Sequence, residues 1–180
     1  MSLSDWEANL EKARKTKDAF FAQHWQSPIL PQNRPKFKGL QYYPPDSSYR
    51  FEFGLHEHPE KGMVRMAYTK DNEQDFIRWG EFRFKTAGKE LSLQAYKRHR
   101  EEETLFVPVK DATSGKETYG AGRYLDLEPG RDLTKEGKWI LDFNQADNPW
   151  CAYSEAYTCP LVPVENWLEI PILAGEKNFH

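Results

Sequence analysis

The chain has 180 residues, which fits one domain and is long enough to bury a core without metal or disulfide staples. A net charge of −3 excludes a general nucleic-acid binder of the usual basic kind, and no run approaches the ~20 apolar residues of a membrane span. With 38% hydrophobic residues and 14% aromatic ones, the core is built from large rings, which pack better on pleated sheets than on helices.

The first element is an amphipathic helix. Ser4 and Glu7 have the spacing of a capping box, Trp6, Leu10, Ala13, Phe20 and Phe21 fall on or near one stripe, and Glu11 and Lys15 form an i, i+4 pair. Ser27-Pro28 ends the helix, since proline disfavours helix at the residue before it. Residues 1–27 therefore form a helix that needs a partner surface, and residues 37–180 form a β-domain. Five prolines between 28 and 45 predict an extended crossing with one short strand over 37–43. Strands follow at 49–55 and, after the turn His58-Pro59-Glu60-Lys61-Gly62, at 63–68. Residues 76–85 and 90–96 alternate around Ala87-Gly88 as a hairpin. The basic run Lys97-Arg98-His99-Arg100 is followed at once by three glutamates, as in a solvated loop rather than a phosphate site. A strand over 105–109 contains Pro108, which predicts an edge or a bulge. Further strands are expected at 122–127, 139–143 and 167–173, with an irregular stretch over 142–166 before the last. Eight or nine short strands without alternating helices point to a mainly β fold, an antiparallel barrel or a two-sheet sandwich, with the N-terminal helix packed on it.

No apolar leader or lipidation motif opens the chain, so a cytoplasmic protein with reduced thiols is expected. No phosphate loop, nucleophile elbow or zinc-protease motif occurs, and no cofactor is expected.

A structureless stretch of this length inside a domain is often functional, and here it is rich in polar groups. Arg123, Leu125 and Leu127 share one face of their strand, Tyr124 and Asp126 the other. An inward arginine needs a carboxylate, for which Asp142, Glu117 or Glu165 are candidates, or an anionic ligand. The candidate ligand-binding set is Arg123, Asp126, Asp142, Asn144, Asn148 and Tyr153, opposed by the reading that the asparagines satisfy their own loop. Seven residues separate Cys151 from Cys159, which is no redox or zinc spacing. They read as a close pair that bonds or shares a metal, as Cys151 acting alone as a nucleophile, or as small buried side chains. His56 and His58 share one strand face and could ligate one ion, but no third local ligand follows and the turn beside them favours exposed histidines instead.

The string Leu105-Phe106-Val107-Pro108, Asp111-Ala112-Thr113-Ser114-Gly115-Lys116, Gly122-Arg123-Tyr124-Leu125-Asp126, Leu141-Asp142-Phe143-Asn144, Asn148-Pro149, Cys151-Ala152-Tyr153, Cys159-Pro160 and Ala174-Gly175-Glu176-Lys177 resembles the bacterial and archaeal family known as domain of unknown function 1684. Lys17-Asp18-Ala19-Phe20-Phe21 and Phe37-Lys38-Gly39-Leu40 extend the resemblance over nearly the whole chain. It departs at Asp147, where a tyrosine is expected, and at Trp150. The resemblance implies no activity. The residues favour a small-molecule-binding β-domain, with a polar pocket built by Arg123 and the 142–166 segment. A hydrolase using Cys151 or a carboxylate, and a structural or interaction protein, are the alternatives. No nucleic-acid or membrane partner is expected, and a homo-oligomer is compatible with the sequence.

Overall fold

The computed structural model describes residues 1–180. Helix α1 spans Leu3–Gln23. Its capping box forms two residues ahead of the expected pair: the Ser2 hydroxyl accepts from the Asp5 N–H and the Asp5 carboxylate accepts from the Ser2 N–H. Seven strands follow, β1 (Arg50–Phe53), β2 (His56–Ala67), β3 (Glu73–Thr86), β4 (Lys89–Lys97), β5 (Leu105–Val109), β6 (Arg123–Leu127) and β7 (Trp139–Asp142), with a one-turn helix α2 (Pro129–Asp132) between the last two.

The strands form two antiparallel sheets that do not close into a barrel, one in the order β2-β3-β4-β5-β6 and one pairing β1 with β7. The sandwich alternative is therefore the one adopted. The core lies between the sheets. Phe51 and Phe53 of β1 meet Phe84 and Phe82 of β3 at ring-centroid distances of 5.2 and 5.7 Å, and Phe143 lies edge-on to Phe51 at 6.0 Å. Leu93, Leu105, Val107, Leu125 and Leu141 complete it. Burial of each such side chain contributes roughly 1.5–3 kcal/mol.

The β3–β4 hairpin forms as its alternation predicts, and Ala87 and Gly88 both take positive φ (50° and 73°) in its two-residue turn. Other local expectations are corrected. The sequence His58-Pro59-Glu60-Lys61-Gly62 does not end a strand; it bulges out inside β2, where the register against β3 jumps between Glu57 and Gly62. Residues 37–43 remain extended, with a single bridge from Tyr42 to Glu176. Pro108 lies in an interior strand. Only Tyr96 and Phe106 pair β4 with β5, and beyond them the Asn166 side chain fills the gap. Its amide nitrogen donates to Gln94 O and Pro108 O, and its oxygen accepts from Gln94 N–H. A side-chain amide thus stands in for a missing strand peptide.

Residues 167–173 alternate buried and exposed but join no sheet. Pro171 has no N–H to give, and the Ile172 N–H donates to the Asp111 side chain instead of to a neighbouring strand. The carbonyls of Ile172, Ala174 and Glu176, which face one way along this extended segment, are all taken by the Arg123 guanidinium.

Candidate functional site

Arg123 is completely buried, and its partner is Asp111 at 2.9 Å rather than Asp142, Glu117 or Glu165. With three carbonyls and a carboxylate around it, the guanidinium is engaged by the protein itself; only Nε is left without a partner. As alternation on a strand requires, Asp126 emerges on the other face of β6.

That face opens onto a cavity of about 340 Å3. Strand β6 is the outer strand of its sheet, and only its start is covered, where Tyr124 and Asp147 exchange backbone hydrogen bonds of 2.8 and 3.0 Å. Beyond that bridge the cavity is lined by Asp126, Leu127 and Glu128, by Leu10, Ala13, Arg14 and Lys17 of α1, and by Tyr42, Arg131, Ile140, Asp142, Asn144 and Asp147.

Helix α1 is held over the cavity by long-range polar contacts. Trp6 Nε1 donates to Asp142 Oδ2 at 2.8 Å. Arg14 donates to the carbonyls of Tyr43 and Asn144 at 3.0 and 3.2 Å and lies over the Tyr42 ring. Lys17 bridges Asp147 (2.8 Å) and Glu176 (2.9 Å). Farther along, Phe21 packs with Ile29, Leu40 and Tyr153.

Several lining groups are electrostatically strained. Desolvation raises the Asp126 carboxyl above its usual range, and Asp147 adds to the rise against the opposing effect of Arg98. No side chain is hydrogen-bonded to that carboxylate; Arg131 donates instead to the Asp126 carbonyl and to Asp132. Burial, reinforced by Glu176 and Asp147, pushes the Tyr42 hydroxyl up and keeps it protonated. Desolvation lowers Arg14. It acts the same way on Lys17, but Asp147 and Glu176 more than offset it and the net shift is upward. The Tyr42 hydroxyl and Arg14 Nε are buried without partners.

Of the sequence-derived set, Asp126, Asp142 and Asn144 come together at the cavity. Asp142 is spent locally, accepting from Trp6 and from the N–H and amide of Asn144; Asn144 also ties down both backbone groups of Asp46. Arg123, Asn148 and Tyr153 do not line it. Asn148 and Tyr153 converge on the buried Glu176 carboxylate, whose own pKa is raised by burial. Cys151 and Cys159 lie apart from the cavity as free thiols. His58 Nε2 is hydrogen-bonded to Gln94 at 2.7 Å, His56 is exposed, and no group of three metal-ligating side chains forms.

Arg14, Lys17 and Tyr42 also line the cavity and are absent from the sequence-derived set. For the two cations the sequence carries a signal: Trp6, Leu10, Arg14, Lys17 and Phe21 follow one helical stripe, so Arg14 and Lys17 interrupt an apolar face.

The profile of a family described as "Protein of unknown function (DUF1684)" matches residues 35–177. Among solved structures, the solution NMR structure of an uncharacterized protein from Haloarcula marismortui is 41% identical, with 97% of this chain and 95% of that one covered and a TM-score of 0.73. No curated protein matches the chain.

Proposed function

The chain belongs to the DUF1684 family, whose description assigns no activity, and from the geometry we propose that it binds a small hydrophilic molecule bearing an amine, beside Asp126. The observation that carries this reading is an unpaired carboxylate on the exposed face of β6, lining a cavity of about 340 Å3, within the size range of small-molecule sites. The cations of the cavity are already engaged. Lys17 is held by Asp147 and Glu176, and Arg131 by Asp132. What is left for a ligand is acceptor capacity at Asp126 and Glu128, plus the free Tyr42 hydroxyl and Arg14 Nε. An ammonium group beside Asp126 would make a charge-assisted hydrogen bond and relieve the desolvated carboxylate, while the Tyr42 hydroxyl selects a polar acceptor on the same molecule.

This reading departs from a pocket built around Arg123, since both terminal nitrogens of that guanidinium are taken by Asp111 and three carbonyls and the side chain does not line the cavity. The test is a thermal-shift panel of small amines, amino acids and polyols with the wild type, Asp126→Asn and Tyr42→Phe. A binder at 100 times its dissociation constant stabilises by about 2.7 kcal/mol, or roughly 5–11 °C in a chain this long. The gain should shrink sharply in Asp126→Asn. A panel without a hit, or hits that persist undiminished in both variants, rejects the proposal.

A further inference from the structure

The two cysteines form a constellation that the cavity does not use. Cys151 lies in a 3-10 turn (Trp150–Ala152) and is half-buried; Cys159 is buried. The Cys151 N–H donates to Cys159 Sγ at 3.4 Å, and the Tyr119 hydroxyl lies 3.6 Å from Cys151 Sγ. Cys159 is fixed from the far side. Its N–H donates to Thr69 Oγ1 at 3.2 Å, its carbonyl accepts from the Thr69 N–H at 3.0 Å, and Leu161 N–H donates to Ala67 O at 2.8 Å. Residues 155–158 between them are mostly exposed and can adjust.

We infer that Cys151 and Cys159 are a dithiol oxidation site in which Cys151 attacks a hydroperoxide and Cys159 resolves the product to an intramolecular disulfide. The half-buried position of Cys151 admits a small oxidant and hinders a bulky disulfide. The Cys151 thiolate attacks one peroxide oxygen, the O–O bond breaks, and the departing oxygen leaves as water or alcohol once protonated. The sulfur loses two electrons and becomes a sulfenic acid. The Cys159 thiol then attacks that sulfur and gives up its proton, the S–O bond breaks, water leaves, and the disulfide closes. The Tyr119 hydroxyl is the donor at hand for the departing oxygen.

The acidities divide the labour in the same sense. The hydrogen bond from Cys159 lowers Cys151 most; Tyr119 and Thr69 add to it against an opposing burial effect, and the thiol comes down to about 6. The hydrogen bond to Cys151 and burial together push Cys159 up, so it stays protonated until it is needed. At pH 6, about half of Cys151 would be thiolate against about 0.3% of an ordinary cysteine near 8.5. The lower intrinsic nucleophilicity of a weakly basic thiolate returns a factor of about 10–18 of that gain, leaving about tenfold faster labelling at pH 6.

The test uses the full chain, whose only cysteines are these two. Treated with a small excess of hydrogen peroxide, the wild type should lose two hydrogen atoms in intact mass and yield a Cys151–Cys159 linked peptide without reduction. Cys159→Ala should stop at a sulfenic acid that dimedone captures on Cys151, and Cys151→Ala should leave Cys159 unmodified. Iodoacetamide labelling of the untreated wild type should follow a pH midpoint near 6. No loss of mass, only intermolecular dimers, or Cys159 reacting first would overturn the proposal, and the intact mass and linked peptide of the wild type decide even if a variant fails to fold.

Discussion

Replacing Arg123 with methionine tests whether this buried cation holds the C-terminal segment in place. Both side chains of the Arg123–Asp111 pair are fully buried. In Arg123→Met the Asp111 Oδ1 atom keeps its donors, the N–H and hydroxyl of Thr113 and the N–H of Ile172, but Oδ2 loses its only one. Breaking a buried pair by removing one partner costs about 3–5 kcal/mol. The carbonyls of Ile172, Ala174 and Glu176 lose their donor as well, at about 1 kcal/mol each. A loss of at least about 5 kcal/mol is a large share of the roughly 5–15 kcal/mol that keeps a domain folded. It predicts a melting temperature lower by about 10–20 °C, or no soluble protein. Two further variants make the reasoning refutable. Adding Asp111→Asn to Arg123→Met removes the stranded charge, so the double variant should be more stable than Arg123→Met alone in urea unfolding. In amide exchange, protection over residues 172–176 should fall first. A penalty in Arg123→Met below about 1 kcal/mol, or a double variant that is the sum of the singles, would refute the account.

Other consequences are as direct. The folded pKa of Asp126 is raised, first by burial, so its charged form opposes folding. The stability associated with its proton is fully present below about 3.8 and is lost as pH rises through the folded value. Asp126→Asn should therefore raise the urea midpoint at pH 7 while abolishing amine binding, and the difference from wild type should shrink in acid. Asn166→Ala should cost about 2–4 kcal/mol by stranding the Gln94 and Pro108 backbone groups it bridges, with β4 and β5 losing exchange protection together. Gly175 has φ +81°, and a Cβ there would lie 2.6 Å from the Phe143 carbonyl oxygen and 2.8 Å from that of Ala146. Gly175→Ala should cost more than about 1 kcal/mol in the same assay.

Much of the fold was legible because its signals are local. Alternation around Ala87-Gly88 sufficed for the β3–β4 hairpin, the aromatic excess for a core of large rings between sheets, and the apolar stripe through Trp6, Leu10 and Phe21 for a docked N-terminal helix. The motif string from Leu105 to Lys177 sufficed for the family. The candidate site was legible only in part, through Asp126, Asp142 and Asn144.

What the sequence determined, then, is which segments are extended, which is helical and which faces are apolar. These follow from side-chain period and backbone preference within a few residues. The tertiary structure alone decided pairing. Residues 167–173 carry a strand's alternation but join no sheet: Leu168 N–H and Ile170 O bond to the backbone of Lys110 and Ala112, and at Ile172 the polar groups turn to Asp111 and Arg123. Arg123 needed a carboxylate, yet nothing near it in the chain distinguished Asp111 from Asp142, Glu117 or Glu165. The cavity exists because Trp6 reaches Asp142 and Lys17 reaches Glu176 across 136 and 159 positions of chain. Which distant groups meet is set by packing the whole core at once, so it leaves no local trace in composition or period.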